Sequence, residues 1–340
     1  MNKKLIYIIA IAIVIVAIGI FSFIPNKTNS IQTAQEESAS ADSNNLPEEI
    51  TIDYATYNLL SLVLHELGFL EDEFKSDNVK INWVFSHGGN KSMEFLFSGS
   101  ADFGSGASFA ALVSFTNGNP IKTIYMINTQ ENSLMVGPES TIKDVSELRG
   151  KTIAATTGTN PYIFMVRSLA LAGMSLDDIN IVNLQHPDGK NELLRGRVDA
   201  WAGLEPIQSQ AKLAGAEYLY TNPELGSHTV LSVRKEFAEK YPQAVLRVLK
   251  TYEKARKWAH DNPDEYLSVI AKKSNITPDV TKLMLEKLRI DAGSSPEIIA
   301  KVIIDTSAEL KKAGIVREEV DIKQKVYELI DSSYLSQIQQ

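Results

Sequence analysis

The chain has 340 residues, 44% of them apolar, a net charge of −8 and no cysteine. That supplies enough apolar side chain for one large or two medium cores, which excludes disorder as the main account of the molecule. Acidity spread without blocks of like charge excludes a nucleic-acid partner, and the lack of cysteine excludes disulfides, thiol nucleophiles, zinc-thiolate sites and a lipid-modified cysteine.

At the start, Lys3 and Lys4 precede an uncharged apolar run from Leu5 to Ile24, long enough as a helix to span the roughly 30 Å hydrocarbon core of a bilayer. Positive charge before the run places Met1 inside and everything after Pro25 outside. Residues 1–24 are thus expected to be a signal sequence or an N-terminal transmembrane anchor. The nearest small-x-small site, Ala39-Ser40-Ala41, lies far downstream of the run, which favours the uncleaved form. Residues 25–49, rich in Ser, Asn, Gln, Ala and Glu, read as a flexible linker.

From Ile50 the chain alternates short β-branched runs with helical periodicity. Strands are expected at Ile50 to Tyr54, Val79 to Phe85, Ala101 to Phe103 and Ile121 to Ile127. Helices are expected at Leu59 to Phe69, Asn90 to Phe97 and Ser108 to Phe115. The pattern restarts with strands at Lys151 to Ala155, Ile179 to Leu184 and Val198 to Ala202, around helices at Asn160 to Leu171 and Asp188 to Arg195. A last strand, Thr229 to Val233, precedes helical periodicity from Lys235 to Ile338. This is the grammar of an α/β protein with two lobes, each a mixed, mostly parallel sheet flanked by helices, followed by a C-terminal helical segment. The simplest topology assigns 50–133 and 227–340 to lobe 1 and inserts 134–226 as lobe 2, joined by two crossing strands that form a hinge.

Three runs carry a family resemblance: Ala155-Thr156-Thr157-Gly158-Thr159, Leu169-Ala170-Leu171-Ala172-Gly173-Met174, and Gly196-Arg197-Val198-Asp199-Ala200-Trp201 with Glu205-Pro206. With the stretches 58–71, 99–106, 144–153 and 234–242, in the same order, the chain resembles the aliphatic sulfonate, taurine and nitrate binding proteins of ABC importers. The resemblance covers roughly 50–264. It implies a type II periplasmic-binding-protein fold, and a small organic anion or zwitterion as the solute. The same scaffold also serves pyrimidine precursors of thiamine, and relatives include enzymes.

Ligands of open α/β sheets sit beyond the carboxyl ends of the strands, so the candidate contacts are the residues there. Gly158-Thr159-Asn160-Pro161 follows a strand and opens a helix, with Asn160 expected at the N-cap and Pro161 at the first helical position. Free amides at that helix end favour an anion, and Thr156, Gly158 and Thr159 are candidate contacts; an ordinary capped helix gives the same pattern. The family usually has a serine and a small residue where Asn160 and Pro161 stand, and proline removes one donor. Facing this junction, Gly104-Ser105-Gly106 leads into the next helix, and Ser105 with Gly106 could bring backbone amides to a ligand or simply make a tight turn. Tyr57 with Asn58, and Trp201 with Glu205, complete the set: an aromatic face beside a carboxylate suits an amine or heterocycle, whereas Glu205 before Pro206 also suits a helix entry. Asp199 reads as structural and His87 as a cap or surface residue.

The five histidines have no metal-binding spacing, and no nucleophile elbow or dinucleotide fingerprint occurs. The chain is therefore expected to be no enzyme and to use no cofactor or metal. Its expected partners are a small-molecule solute, ABC permease and ATPase subunits, and the membrane through residues 5–24, with the protein itself a monomer on the extracytoplasmic side.

Overall fold

The computed structural model describes residues 45–290 and 296–338; the expected anchor, and the linker up to residue 44, lie outside the described residues. Within them no helix is long and apolar enough to cross a membrane.

The first βαβ units build β1 (Glu49–Tyr54), α1 (Leu59–Leu67), α2 (Phe69–Phe74), β2 (Lys80–Phe85), α3 (Gly89–Ser98), β3 (Phe103–Ala107) and α4 (Ser108–Thr116). The long strand β4 (Ile121–Gln130) ends this run. After residues 131–132 the chain enters β5 (Ser133–Val136) and a second set: β6 (Thr152–Ala155), α5 (Asn160–Leu171), β7 (Asn180–Asn183), α6 (His186–Leu194), β8 (Ala200–Ala202), α7 (Ile207–Leu213) and β9 (Glu217–Thr221). It returns through 222–226 to β10 (Ser227–Arg234). Two mixed sheets result, ordered β11-β4-β10-β3-β1-β2 and β7-β6-β8-β5-β9, where β11 is Leu288–Arg289. At the crossover, Asn132 Nδ2 donates to Ser227 Oγ at 2.7 Å, tying the outgoing connection to the returning one.

The expected elements are present, with three instructive differences. The strand expected at Ala101 to Phe103 runs instead from Phe103 to Ala107, because Gly104, Ser105 and Gly106 pair antiparallel with β10 rather than turning. The expected helix from Leu59 to Phe69 stops at Gly68, whose φ of 66° needs no Cβ, and restarts as α2. Strands β5 and β9 had no separate signature, since each is short and takes its register from pairing at the crossover.

After β10 come α8 (Lys235–Lys240), α9 (Pro242–Asp261), α10 (Pro263–Ser274), α11 (Pro278–Leu285), α12 (Pro296–Asp305), α13 (Ser307–Lys312), α14 (Ile322–Leu329) and α15 (Leu335–Ile338). They do more than cover the first sheet. Helices α9 and α10 pack on α1, and α12 and α14 on β4, but α11 packs on α7 and α13 on α5, both belonging to the second set. The C-terminal segment is thus bound to both halves of the fold.

The two sets share a construction. Sheet orders β2-β1-β3 and β7-β6-β8 correspond strand for strand. Before β3, Asp102 Oδ2 accepts the backbone N–H of Thr51 on β1; before β8, Asp199 Oδ2 accepts that of Thr152 on β6, both at 2.8 Å. Each aspartate follows, three residues on, a left-handed glycine that ends the preceding helical segment, Gly99 with φ 74° and Gly196 with φ 66°. Asp199 is therefore a structural residue, as its sequence context suggested.

Candidate functional site

The two sets meet along a seam at the carboxyl ends of β1, β3 and β6. The first set contributes Tyr57, Gly89 and Ala107, with Gln130 and Thr229 from the long central strands; the second contributes Thr159, Asn160 and Leu204. None of these side chains carries charge. The space between them is about 10 Å³, barely the room one water needs, so the halves are closed on each other.

Helix α5 enters the seam at its N-terminus. The N-cap is Thr159 rather than Asn160, and Pro161 sits one position further in than expected. Thr159 turns its hydroxyl back to the Thr156 carbonyl at 2.7 Å, so no side chain caps the first-turn amides. Asn160 is freed from capping and reaches across: its Nδ2 donates to the His228 carbonyl on β10 at 3.2 Å. Because a carbonyl can only accept, this bond fixes the amide orientation and leaves Asn160 Oδ1 as an unpaired acceptor on a residue only 3% exposed. Gly158, with φ 79°, stands clear, for a Cβ there would meet nothing within 4 Å.

On the opposite side, Tyr57 donates its hydroxyl to the Ser105 carbonyl at 3.1 Å. Ser105 is held in turn by Asp53, whose carboxylate accepts its N–H at 2.8 Å and its hydroxyl at 2.9 Å. Burial pushes the Asp53 carboxyl up to about 6 against the pull of Ser86, Ser92 and Ser105. The same burial, then the Asp53 charge, raises the Tyr57 phenol. Sequence reasoning passed over Asp53, because an acid inside a strand has no motif; an ionisable residue between Ile52 and Tyr54 near the end of a β-branched run was the available signal.

Of the nine expected contacts, Tyr57 and Thr159 line the seam directly and Gly158 stands at its mouth. The others are placed differently. Asn58 is the N-cap of α1, accepting from Ser61 N at 3.0 Å and donating to the Tyr252 hydroxyl at 3.3 Å. Ser105 and Gly106 lie inside β3 rather than in a turn. Gly106 is there for packing: a Cβ would come within 3.2 Å of Gly89 Cα. Thr156 donates to the Leu184 carbonyl at 2.6 Å, beside a buried His186 whose imidazole burial pushes down to about 3.

Trp201 corrects the expectation most plainly. It is 0% exposed and packs with Met135, Ala154, Leu193 and Ala211 in the core beneath α6 and α7, where Gly189 and Gly203 make room for the ring. Glu205, next in chain to the seam residue Leu204, is also wholly buried. Its Oε2 accepts the Ser209 N–H and hydroxyl at 3.1 and 2.7 Å, while Oε1 has no partner. Burial lifts its carboxyl to about 7, with Lys287 pulling the other way. An aromatic ring and a carboxylate four residues apart in sequence thus face different surroundings.

Comparison with known proteins fits this geometry. A Bacillus subtilis (strain 168) protein named "Putative aliphatic sulfonates-binding protein" is 26% identical over 279 residues, 81% of this chain and 83% of its own length. The taurine-binding periplasmic protein of Escherichia coli (strain K12) is 26% identical over 71% of this chain and 80% of its length. Among solved structures, the alkanesulfonate-binding protein SsuA from Xanthomonas axonopodis pv. citri, bound to MOPS, superposes with a TM-score of 0.74 at 22% identity, over 84% of this chain and 99% of that one. The fold is accordingly that of the periplasmic binding proteins, as the resemblance implied. The family model described as NMT1/THI5 like matches residues 62–266, more than half of the sequence, and the chain belongs to that family.

Proposed function

We propose that this protein is an extracytoplasmic solute-binding protein of an ABC importer, which captures a small organic anion or zwitterion between its halves and presents the closed form to a permease with its ATPase subunits. The observation that carries this reading is the N-terminus of α5, uncapped and aimed into the uncharged seam, with the unpaired Asn160 Oδ1 beside it. Helix-end amides stabilise an anion, and a lone carbonyl oxygen stabilises an N–H donor. A sulfonate with an amine close by, as in taurine, offers both. An unsatisfied buried acceptor costs about 1–3 kcal/mol, so a guest that satisfies it is stabilised between halves parted far enough to admit it. The names of the relatives support the same solute class. The reading includes a protein held at the outer face of the membrane by residues 5–24 and acting by binding rather than turnover.

A thermal-shift panel of alkanesulfonates, taurine, nitrate and thiamine pyrimidine precursors tests it, since a ligand bound to the folded state alone raises its melting temperature. A sulfonate or taurine is expected to do so, and Asn160→Ala to weaken that ligand roughly 5-fold to 150-fold. A panel that leaves the melting temperature unmoved refutes the solute class.

A further inference from the structure

We propose that Lys287 is a latch across the hinge, resting on Tyr218 while the halves are closed and released from it as Glu205 gives up its proton, so that solution pH sets how readily the halves part. The proposal concerns the hinge and holds whichever solute binds.

A solute enters the seam only when the halves part, because the closed seam has room for about 10 Å³. Parting turns the second sheet about the connections 131–132 and 222–226, and Lys287 stands against the first of them. Its backbone belongs with the first half: its carbonyl accepts the Glu131 N–H at 3.1 Å, and the next residue, Leu288, pairs with Gln130 of β4. Its side chain belongs with the second. The ammonium lies 4.3 Å from the centre of the Tyr218 ring on β9 and donates to Ser133 Oγ on β5 at 3.3 Å. Attraction between the cation and the ring face thus ties one half to the other.

Two buried polar atoms beside the latch have no partner. Glu205 uses Oε2 on Ser209 and leaves Oε1 unpaired, and the Tyr218 hydroxyl is unpaired as well, although the Glu205 charge is felt at that phenol. A buried acceptor without a partner destabilises the arrangement that holds it, most of all when it is charged. Closed halves therefore favour the protonated carboxyl, which burial holds up at about 7. Leu204, the neighbour of Glu205, lines the seam, so parting brings water to the carboxylate. Once ionised, Glu205 also competes with Tyr218 for the Lys287 ammonium. The other charges around the cluster are the ion pair of Lys212 and Glu217, with Lys212 5.6 Å from the Tyr218 ring, and Glu286 next to Lys287.

Single-molecule fluorescence transfer in solute-free buffer is the test. The chain has no cysteine, so Lys80→Cys on the first half and Arg197→Cys on the second, both exposed, take one dye each. With the Glu205 carboxyl at about 7 when closed and near 4.5 when wetted, linkage lowers the ratio of closed to open molecules about tenfold between pH 6 and pH 8. Glu205→Gln, which keeps an acceptor for Ser209, should make the ratio the same at both values. Lys287→Met, which keeps the stem without the charge, should raise the open fraction at pH 6. A parent ratio that does not change with pH, or a change that survives Glu205→Gln, overturns the proton control; an open fraction that Lys287→Met leaves unmoved overturns the latch. No solute enters the measurement, so either failure leaves the solute-binding reading standing.

Discussion

The two halves of the molecule use one plan and fill it with opposite side chains. Asp102, Phe103 and Gly104 lead into β3 as Asp199, Ala200 and Trp201 lead into β8, with both aspartates clamping the neighbouring strand in the same way. Gly104 of the first half therefore corresponds to Trp201 of the second. The helix above compensates: in the first half a Cβ on Gly104 would come within 2.5 Å of Ser92 Oγ, and in the second a Cβ on Gly189, the counterpart of Ser92, would lie 2.6 Å from the Trp201 ring nitrogen. Position 53 of the first half, whose buried carboxylate sits among Ser86, Ser92 and Ser105, matches Ala154 of the second, which packs with Trp201. Repeated backbone geometry fixes the architecture, while the exchange of volumes across the helix decides which half has a polar core beside the seam.

Substitutions can break this comparison directly. Trp201→Ala should have the largest effect, a loss of about 3–5 kcal/mol in urea unfolding from the cavity left behind, with little change in affinity among molecules that remain folded. Loss of affinity at unchanged stability would return Trp201 to the binding site and dissolve the correspondence with Gly104. Gly104→Val follows, at about 3 kcal/mol, because its side chain must displace Ser92 and Leu96 from a packed interior.

The third test sharpens the polar side of the comparison. Asp53 ionises near 3.8 in the unfolded chain and at about 6 when folded, so between those values the folded state keeps a proton that the unfolded state has lost. Its contribution to stability falls, on the order of 3 kcal/mol, as pH rises through that window, and is constant above it. Glu205 acts with the same sign between 4.5 and about 7. His186, kept neutral by burial, opposes both, since stability is gained as pH rises from about 3 to 6.5. Asp53→Asn should remove the first falling contribution from a stability profile measured between pH 4 and 7; a profile identical to the parent would show that Asp53 is not buried as an acid.

Much of the site could be read along the chain because it sits where strands end. Thr159 and Gly158 follow β6 and Tyr57 follows β1, and position after a strand is a local property. The partners escaped because they are defined across the molecule. Asn160 reads locally as a cap, yet Thr159 takes that place and Asn160 bonds to β10, 68 residues away. Asn58 reads as a contact and is a cap; Ser105 reads as part of a turn and is held in a strand by an acid 52 residues earlier.

The order of strands and helices, the restart that marks a second half, and the apolar run at the start followed from periodicity and composition, since these depend on residues within a few turns of each other. Tertiary structure alone decided which face each strand-end side chain takes. A single residue fixes whether a neighbouring helix can approach or an indole must be housed, and so Trp201 went to the core, Asp53 was buried behind the seam where it holds Ser105, and the C-terminal helices bound both halves.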